Sequence, residues 1–299
     1  MRRSAVALVG LATVGSLVLA GCASNKPKSA SPTKSVDVGT ITKDEAAAAL
    51  LPDKIKSAGK LVVGINVPYA PNEYKDPSGK IVGWEVDFLD AVATKLGLTT
   101  SYQESGFDNI IPSIKGGKFD IGMSSFTDNK KREAQVDFVN YYSAGFQWAS
   151  QAGKTVDPNN ACGLKVIVQT GTTEETEDIP AKSKACTAAG KPAIKLSKLD
   201  SQDAVNQAVA LGQYDALDAD SPITQYAVKK SNGKLQLAGD IYGAAPYGLA
   251  VAKDAGTLKE ALQKAIQSMI DDGSYKKILE KWGVEPGAVT TASINGATS

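Results

Sequence analysis

Apolar positions along this chain fall into short β-branched runs that alternate with stripes at three-to-four spacing. Lys60–Ile65 reads as a strand. Asp87–Leu96 reads as a helix: Val86, Leu89, Ala93 and Leu96 share one face, and Gly97 stands where the helix ends. Ser101–Gln103 reads as a short strand, Asp108–Lys115 as a helix with Pro112 in its first turns, and Phe119–Met123 as a strand. The pattern then restarts. Lys165–Val168, Ala193–Leu196 and Ala216–Ala219 read as strands; Thr173–Lys184 and Ser201–Leu211 read as helices, the second striped by Ala204, Val205, Ala208 and Val209 and ended by Gly212. Gly248–Ala252 is a further strand, and Leu258–Lys281 holds two helices around Asp272-Gly273. Strands alternating with helices predict an α/β fold with a mostly parallel sheet.

The two halves echo each other. A helix–glycine–strand join at Ile114–Ile121 recurs at Ala210–Ala216, and five residues past Asp120 and Asp215 lie Ser125 and Asp220. Both would stand just beyond the carboxyl end of a buried strand, where open α/β sheets bind ligands. A chance recurrence of a common join is the alternative.

The ends of the chain differ from its body. Arg2 and Arg3 precede an uncharged run, Ala5–Ala20, which closes on Leu19-Ala20-Gly21-Cys22. This is a secretory signal over 1–21, and its cysteine makes it resemble the lipobox of bacterial lipoproteins. That resemblance implies cleavage before Cys22 and its lipidation, and two or more acyl chains suffice for stable anchoring. An uncleaved membrane helix is the alternative, disfavoured by the small residues that end the run. Residues 22–58 read as a lipid-anchored flexible linker, with a short helix within Ala46–Ile55 broken at Pro52; residues 287–299, rich in Gly, Ala, Thr and Ser, read as a loose tail.

Composition narrows the chemistry. Lys+Arg is 33 against Asp+Glu 32, with no dense basic run, which argues against a nucleic-acid partner. His is zero, which removes His-based triads, His general bases and imidazole zinc sites; three cysteines cannot build an all-cysteine zinc site. No cofactor and no metal are expected. Once Cys22 is lipidated, Cys162 and Cys186 remain for an oxidising compartment, so they are expected to form a disulfide, two buried thiols being the alternative.

From Lys60 to Trp282 the chain resembles the extracytoplasmic solute-binding proteins of polar amino-acid ABC transporters, family 3. The stretches that carry this are Tyr69–Asp87, Ile111–Ser125, Lys131-Arg132, Val136–Phe138, Gln169–Glu174, Tyr214–Ala216 on to Asp220, and Asp271–Leu279 with Trp282-Gly283. The resemblance implies a type II periplasmic-binding-protein fold. Two hinge-linked lobes would flank a ligand cleft, lobe 1 being 59–148 plus 244–286 and lobe 2 being 153–240, with hinges near Ser150–Gly153 and Asp240–Ala244. It further implies a monomer that binds a free L-amino acid and hands it to a permease.

A free amino acid is a zwitterion, so its site needs a fixed cation and a fixed anion. Arg132 is the candidate for the α-carboxylate, because guanidinium binds carboxylate bidentately. Gly171-Thr172-Thr173 would add free N–H groups at a helix start. Asp220 is the candidate for the α-ammonium. Ser124, Ser125, Thr127 and Gln169 would add polar contacts, and Tyr69 and Phe107 match positions where aromatics cover the ligand side chain. Asn66 stands where binders of basic amino acids carry an acid. Asn66 and Asn72 would suit an amide or hydroxyl side chain, and Glu174 would meet an ammonium or face solvent. The expected ligand is therefore neutral and polar, ahead of acidic, with basic last. A cleft enzyme resembling periplasmic dehydratases is a second class, for which only Glu73, Glu174 and Asp220 offer acid–base groups. A ligand sensor for a membrane signalling partner is a third.

Overall fold

The computed structural model describes residues 40–298; the signal segment, Cys22 and the start of the linker lie outside them. One eight-stranded sheet, with helices packed against it, organises the rest. Helices α1 (Glu45–Ala48) and α2 (Asp53–Ala58) lead into strand β1 (Lys60–Ile65). A small hairpin follows, β2 (Tyr74–Lys75) and β3 (Ile81–Val82), then α3 (Trp84–Lys95), β4 (Thr99–Glu104), α4 (Phe107–Lys115), β5 (Ile121–Gly122) and α5 (Lys130–Glu133). A long strand, β6 (Asp137–Gln151), leads into a second group. This comprises β7 (Lys165–Gln169), a π-helical turn (Glu174–Asp178), α6 (Ile179–Ala188), β8 (Lys195–Leu199), α7 (Gln202–Ala210), β9 (Ala216–Asp220) and α8 (Ser221–Lys230). A second long strand, β10 (Leu235–Val251), returns the chain to the first group, which α9 (Leu258–Asp271) and α10 (Ser274–Trp282) complete.

The strand order is β4-β1-β5-β10-β6-β9-β7-β8. β1 runs parallel to β4 and β5, and β7 runs parallel to β8 and β9, so each lobe has the same three-stranded parallel core. The antiparallel pair β6–β10 lies between them. Its ladder breaks register between Ala238 and Tyr242 and again between Tyr242 and Ala245. Gly239 and Gly243 take positive φ there, 73° and 61°. Bulges of this kind bend a strand and weaken its pairing. Phe146–Ser150 already pair with β9, so β6 crosses before that point and not at the expected Ser150–Gly153.

Both cores are built by alternation. On β1 the buried Leu61, Val63 and Ile65 share a face and pack with Trp84, Phe88 and Leu89 of α3 and Leu262 and Ile266 of α9. Gly64, between Val63 and Ile65, leaves room for the Phe119 ring, which lies 2.3 Å from where a Cβ would be. Cys162 and Cys186 form a disulfide in the second lobe, across 5.5 Å between Cα atoms.

Two expected loose segments are ordered. Asp44 caps α1 by accepting from Ala46 and Ala47 N–H, and Ala47, Leu51 and Ile55 join the lobe 1 core, so the linker does not extend to 58. These apolar positions recur every four residues, on both sides of the break at Pro52. The expected loose tail also packs. β9 covers only Phe146–Ser150, which leaves the earlier half of β6 with an open edge; Ile294 bridges to Val139 there, and Ala292 and Ala297 are buried. Its order comes from pairing that edge, which composition does not reveal. No helix among the described residues is long and apolar enough to cross a membrane.

Candidate ligand site between the lobes

The carboxyl ends of β1 and β5 from one lobe face those of β7 and β9 from the other. Between them lies a cavity lined by Asn66, Tyr69, Phe107, Ser124, Ser125, Thr127, Arg132, Gln169, Thr172, Thr173, Glu174 and Asp220. The structure thus brings together all ten residues expected to contact a ligand, with Asn66 and Glu174. It leaves Asn72 out.

Arg132 enters from α5, whose first turn Asn129 caps by accepting the Arg132 N–H at 2.8 Å. The guanidinium donates to Thr127 O at 2.8 Å and, across the cleft, to Gly171 O at 3.1 Å. It lies over the stacked rings of Phe107 and Phe126, 5.5 and 5.6 Å from their centroids. Rings beneath and carbonyls beside it hold the long side chain in one place.

Asp220 ends β9 at the start of α8. Its carboxylate accepts from the Tyr69 hydroxyl at 2.6 Å, a bond between lobes. Burial lifts its pKa to about 6, against the lowering effect of the Tyr69 bond. Glu174 opens the π turn with 1% exposure, and its Oε1 has no hydrogen-bond partner among the described residues. Burial, then the charge of Asp220, pushes its carboxyl up to about 8. Glu174 therefore faces the cavity and not solvent.

The two serines are set from below. Ser124 donates to Glu73 at 2.7 Å and accepts from Asn66 N–H at 3.1 Å. Ser125 donates to Glu85 at 3.0 Å and accepts from Asn72 at 2.7 Å. Each hydroxyl hydrogen is engaged, so each oxygen offers the cavity a lone pair and no donor. Ser125 sits at φ 54°, a strained region for a serine, pinned by its N–H bond to Glu85 at 3.1 Å. Burial and the neighbouring Glu85 raise Glu73 well above the carboxylate range, while Glu85 collects the Ser125 and Tyr141 donors. Glu85 and Tyr141 escaped sequence reading; the one trace is a charge inside the buried face of α3.

The proposed specificity residues come out differently. Asn72 is buried beneath the site, donating to Ser125 and accepting from Trp84 Nε1 at 2.6 Å, so it reaches no ligand. Asn66 lines the cavity, but its amide donates to Ser105 O at 2.9 Å and accepts from Gln169 at 2.8 Å. Both ends are thus engaged by the protein. Gln169 also donates to Asp200 O, and the Thr172 hydroxyl to Gln169 O. Thr127 and Thr173 hydroxyls lie 3.4 Å apart across the cleft, and Asn129 donates to Glu177 at 2.8 Å. With Tyr69–Asp220, Asn66–Gln169 and Arg132–Gly171, these bonds close the lobes on each other.

Known proteins share this plan. An arginine-binding protein, ArgT, of Corynebacterium glutamicum is 41% identical over 249 residues, covering 83% of this chain and 82% of that protein. A structure of an ancestral arginine-binding protein bound to arginine superposes with a TM-score of 0.68 at 34% identity, over 75% of this chain and 98% of that one. The same description with glutamine bound gives 0.69 at 34% identity, over 76% and 99%. The family model for bacterial extracellular solute-binding proteins, family 3, matches residues 61–285, and the chain belongs to that family.

Proposed function

We propose that this protein is a lipid-anchored extracytoplasmic receptor that captures a free L-amino acid between its lobes and delivers it to an ABC permease. The observation that carries this is the pairing of one half-buried guanidinium, Arg132, with one buried carboxylate, Asp220, in a single cavity between the lobes. A zwitterion supplies the two complementary charges. In this reading Arg132 and the N–H groups at Thr172-Thr173 take the α-carboxylate. Asp220, with the free lone pairs of Ser124 and Ser125, takes the α-ammonium. Tyr69 and Phe107 cover the side chain. Lobe 2 closes on lobe 1 about the irregular β6–β10 pair, because a ligand shifts such an equilibrium only through contacts that one state alone offers. Cys22 supplies the anchor.

Glu174 decides the side chain. The zwitterion offsets Arg132 and Asp220, which leaves one carboxyl. A cationic side chain neutralises an ionised Glu174, whereas a neutral polar side chain requires it protonated. Asn66 and Asn72, the basis for expecting a neutral polar ligand, are both engaged by the protein. We therefore favour a cationic side chain, in line with the arginine-binding relatives. The neutral polar reading keeps one support: a relative whose structure is described with glutamine bound. A thermal-shift screen of the twenty amino acids decides, since the ligand raises the midpoint by linkage. No shift with any of them would remove the receptor reading.

An acid–base enzyme is less well supported. Asp220 is bonded to Tyr69, and Glu73 lies behind Ser124. A sensor role would use the same closing lobes, and co-purification with a permease separates it from transport.

A further inference from the structure

The stretch 292–297 lies beyond the family match and runs along the open edge of β6. Ser293 O accepts from Asn140 N–H at 2.8 Å, and Asn295 N–H donates to Phe138 O at 3.0 Å. The Asn295 side chain adds a bond at each end, accepting from Phe138 N–H at 2.8 Å and donating to Asp137 at 3.0 Å. From there the contacts turn towards the cleft. Asn140 Oδ1 accepts from Ser293 Oγ and Gly296 N–H, both at 2.9 Å, and its Nδ2 donates to Asp128 at 2.9 Å.

Asp128 is buried in the segment that carries Arg132. On one side Thr127 gives its carbonyl to the Arg132 guanidinium; on the other Asn129 caps the Arg132 N–H. At the far end, Ala297 N–H reaches Glu133 Oε1 at 3.3 Å, one residue past Arg132. The C-terminal stretch therefore holds segment 127–133 directly at Glu133 and through Asn140 at Asp128, without touching the cavity.

We propose that residues 292–297 are a positioning strap for Arg132. They fix segment 127–133 before ligand arrives, so the guanidinium is not ordered at the expense of binding energy. The proposal rests on the reading of Arg132 as the carboxylate-binding group. It differs from a simple edge cover, which would stabilise lobe 1 and leave ligand discrimination alone.

Two variants test it: a chain ending at Thr290, and Gly296→Val in the full-length protein. A Cβ at Gly296 would stand 2.6 Å from Asn140 Oδ1 and 2.8 Å from Ser293 Oγ, so the second variant loosens the strap without removing it. Probes are L-arginine with L-argininamide, and L-glutamine with L-glutaminamide, the amides measured by displacement. Each amide lacks the carboxylate that Arg132 would hold. The strap variants should bind the acid about tenfold more weakly while amide affinity moves less than about twofold. Backbone amides of 127–133 should exchange faster in the ligand-free variants, with those of β1 and β7 unchanged. Equal losses for acid and amide, or unchanged exchange at 127–133, would overturn the strap. Arg132→Met is the control. If it keeps the wild-type preference for acid over amide, the carboxylate reading fails and the strap with it. If it loses that preference while both strap variants keep theirs, only the strap proposal falls.

Discussion

The Tyr69 hydroxyl donates to the Asp220 carboxylate at 2.6 Å, joining lobe 1 to lobe 2 at the point where a ligand ammonium would bind. The bond favours the closed arrangement of the lobes. A hydrogen bond to a charged group contributes about 1.5–3 kcal/mol, enough to shift a two-state balance more than about tenfold. Ligand-free Tyr69→Phe should therefore be more expanded than ligand-free wild type in small-angle scattering. Identical profiles would show that the bond does not govern closure.

Asp220→Ala should weaken amino-acid binding by about 2–5 kcal/mol, since it leaves the ligand ammonium buried and unpaired. Calorimetry measures this. Wild-type affinity in the variant would refute Asp220 as the ammonium partner.

The acids make binding depend on pH. Asp220, raised to about 6, loses its charge as pH falls through that value, so affinity for any amino acid should drop below about pH 6. Glu174, raised to about 8, must ionise to meet a cation, so affinity for arginine should climb as pH rises towards 8. A neutral ligand that accepts from protonated Glu174 should show the reverse above that value. Of the charged groups around Glu174, Asp220 opposes its ionisation and Arg132 favours it. Glu174→Gln should abolish the upper transition. A transition that survives would assign it elsewhere.

The disulfide Cys162–Cys186 spans 24 positions of sequence. Closing a loop of that size stabilises by roughly 3 kcal/mol in the chain-entropy model. Cys162→Ser with Cys186→Ser should lower the denaturation midpoint accordingly while leaving ligand affinity within about twofold. Two reactive thiols in unfolded, unreduced wild-type protein would contradict the bond.

If Cys22 is the anchor, Cys22→Ser should move the protein from the membrane to the soluble fraction. Its retention on the membrane would end the lipoprotein reading.

What the residues disclosed in one dimension follows a pattern. Arg132 and Asp220, which both line the interlobe cavity, stood out because a zwitterion would need one cation and one anion, and each residue lay in a recognisable stretch. The inner parallel strands β1, β7 and β9 were legible because burial leaves apolar runs, as at Lys165–Gln169. β6 and β10 were legible mainly through the family resemblance: β10 changes from exposed to buried along its length, which destroys any single period. Asn66 and Asn72 misled because an amide's partners are set by tertiary contacts; Ser105, Gln169 and Trp84 satisfy them here. The ordered tail was missed for the same reason, its bonds being to a strand edge visible only once the sheet is built.

The sheet order has a consequence for how the protein is made. β5 contributes only Ile121 and Gly122 to its neighbours, and on one side that neighbour is the far end of β10, Ala250 and Val251. Lobe 1 therefore waits for a partner more than a hundred residues downstream, and then for α9, α10 and the edge-filling C-terminal stretch. The β7, β8 and β9 core of lobe 2, and both of its cysteines, lie in one unbroken stretch ending at Asp220. As the chain is made from its N-terminus, that stretch emerges whole while lobe 1 is still lacking its closing strand. Because domains fold as units once their chain is available, the order of maturation runs from the middle of the sequence outward.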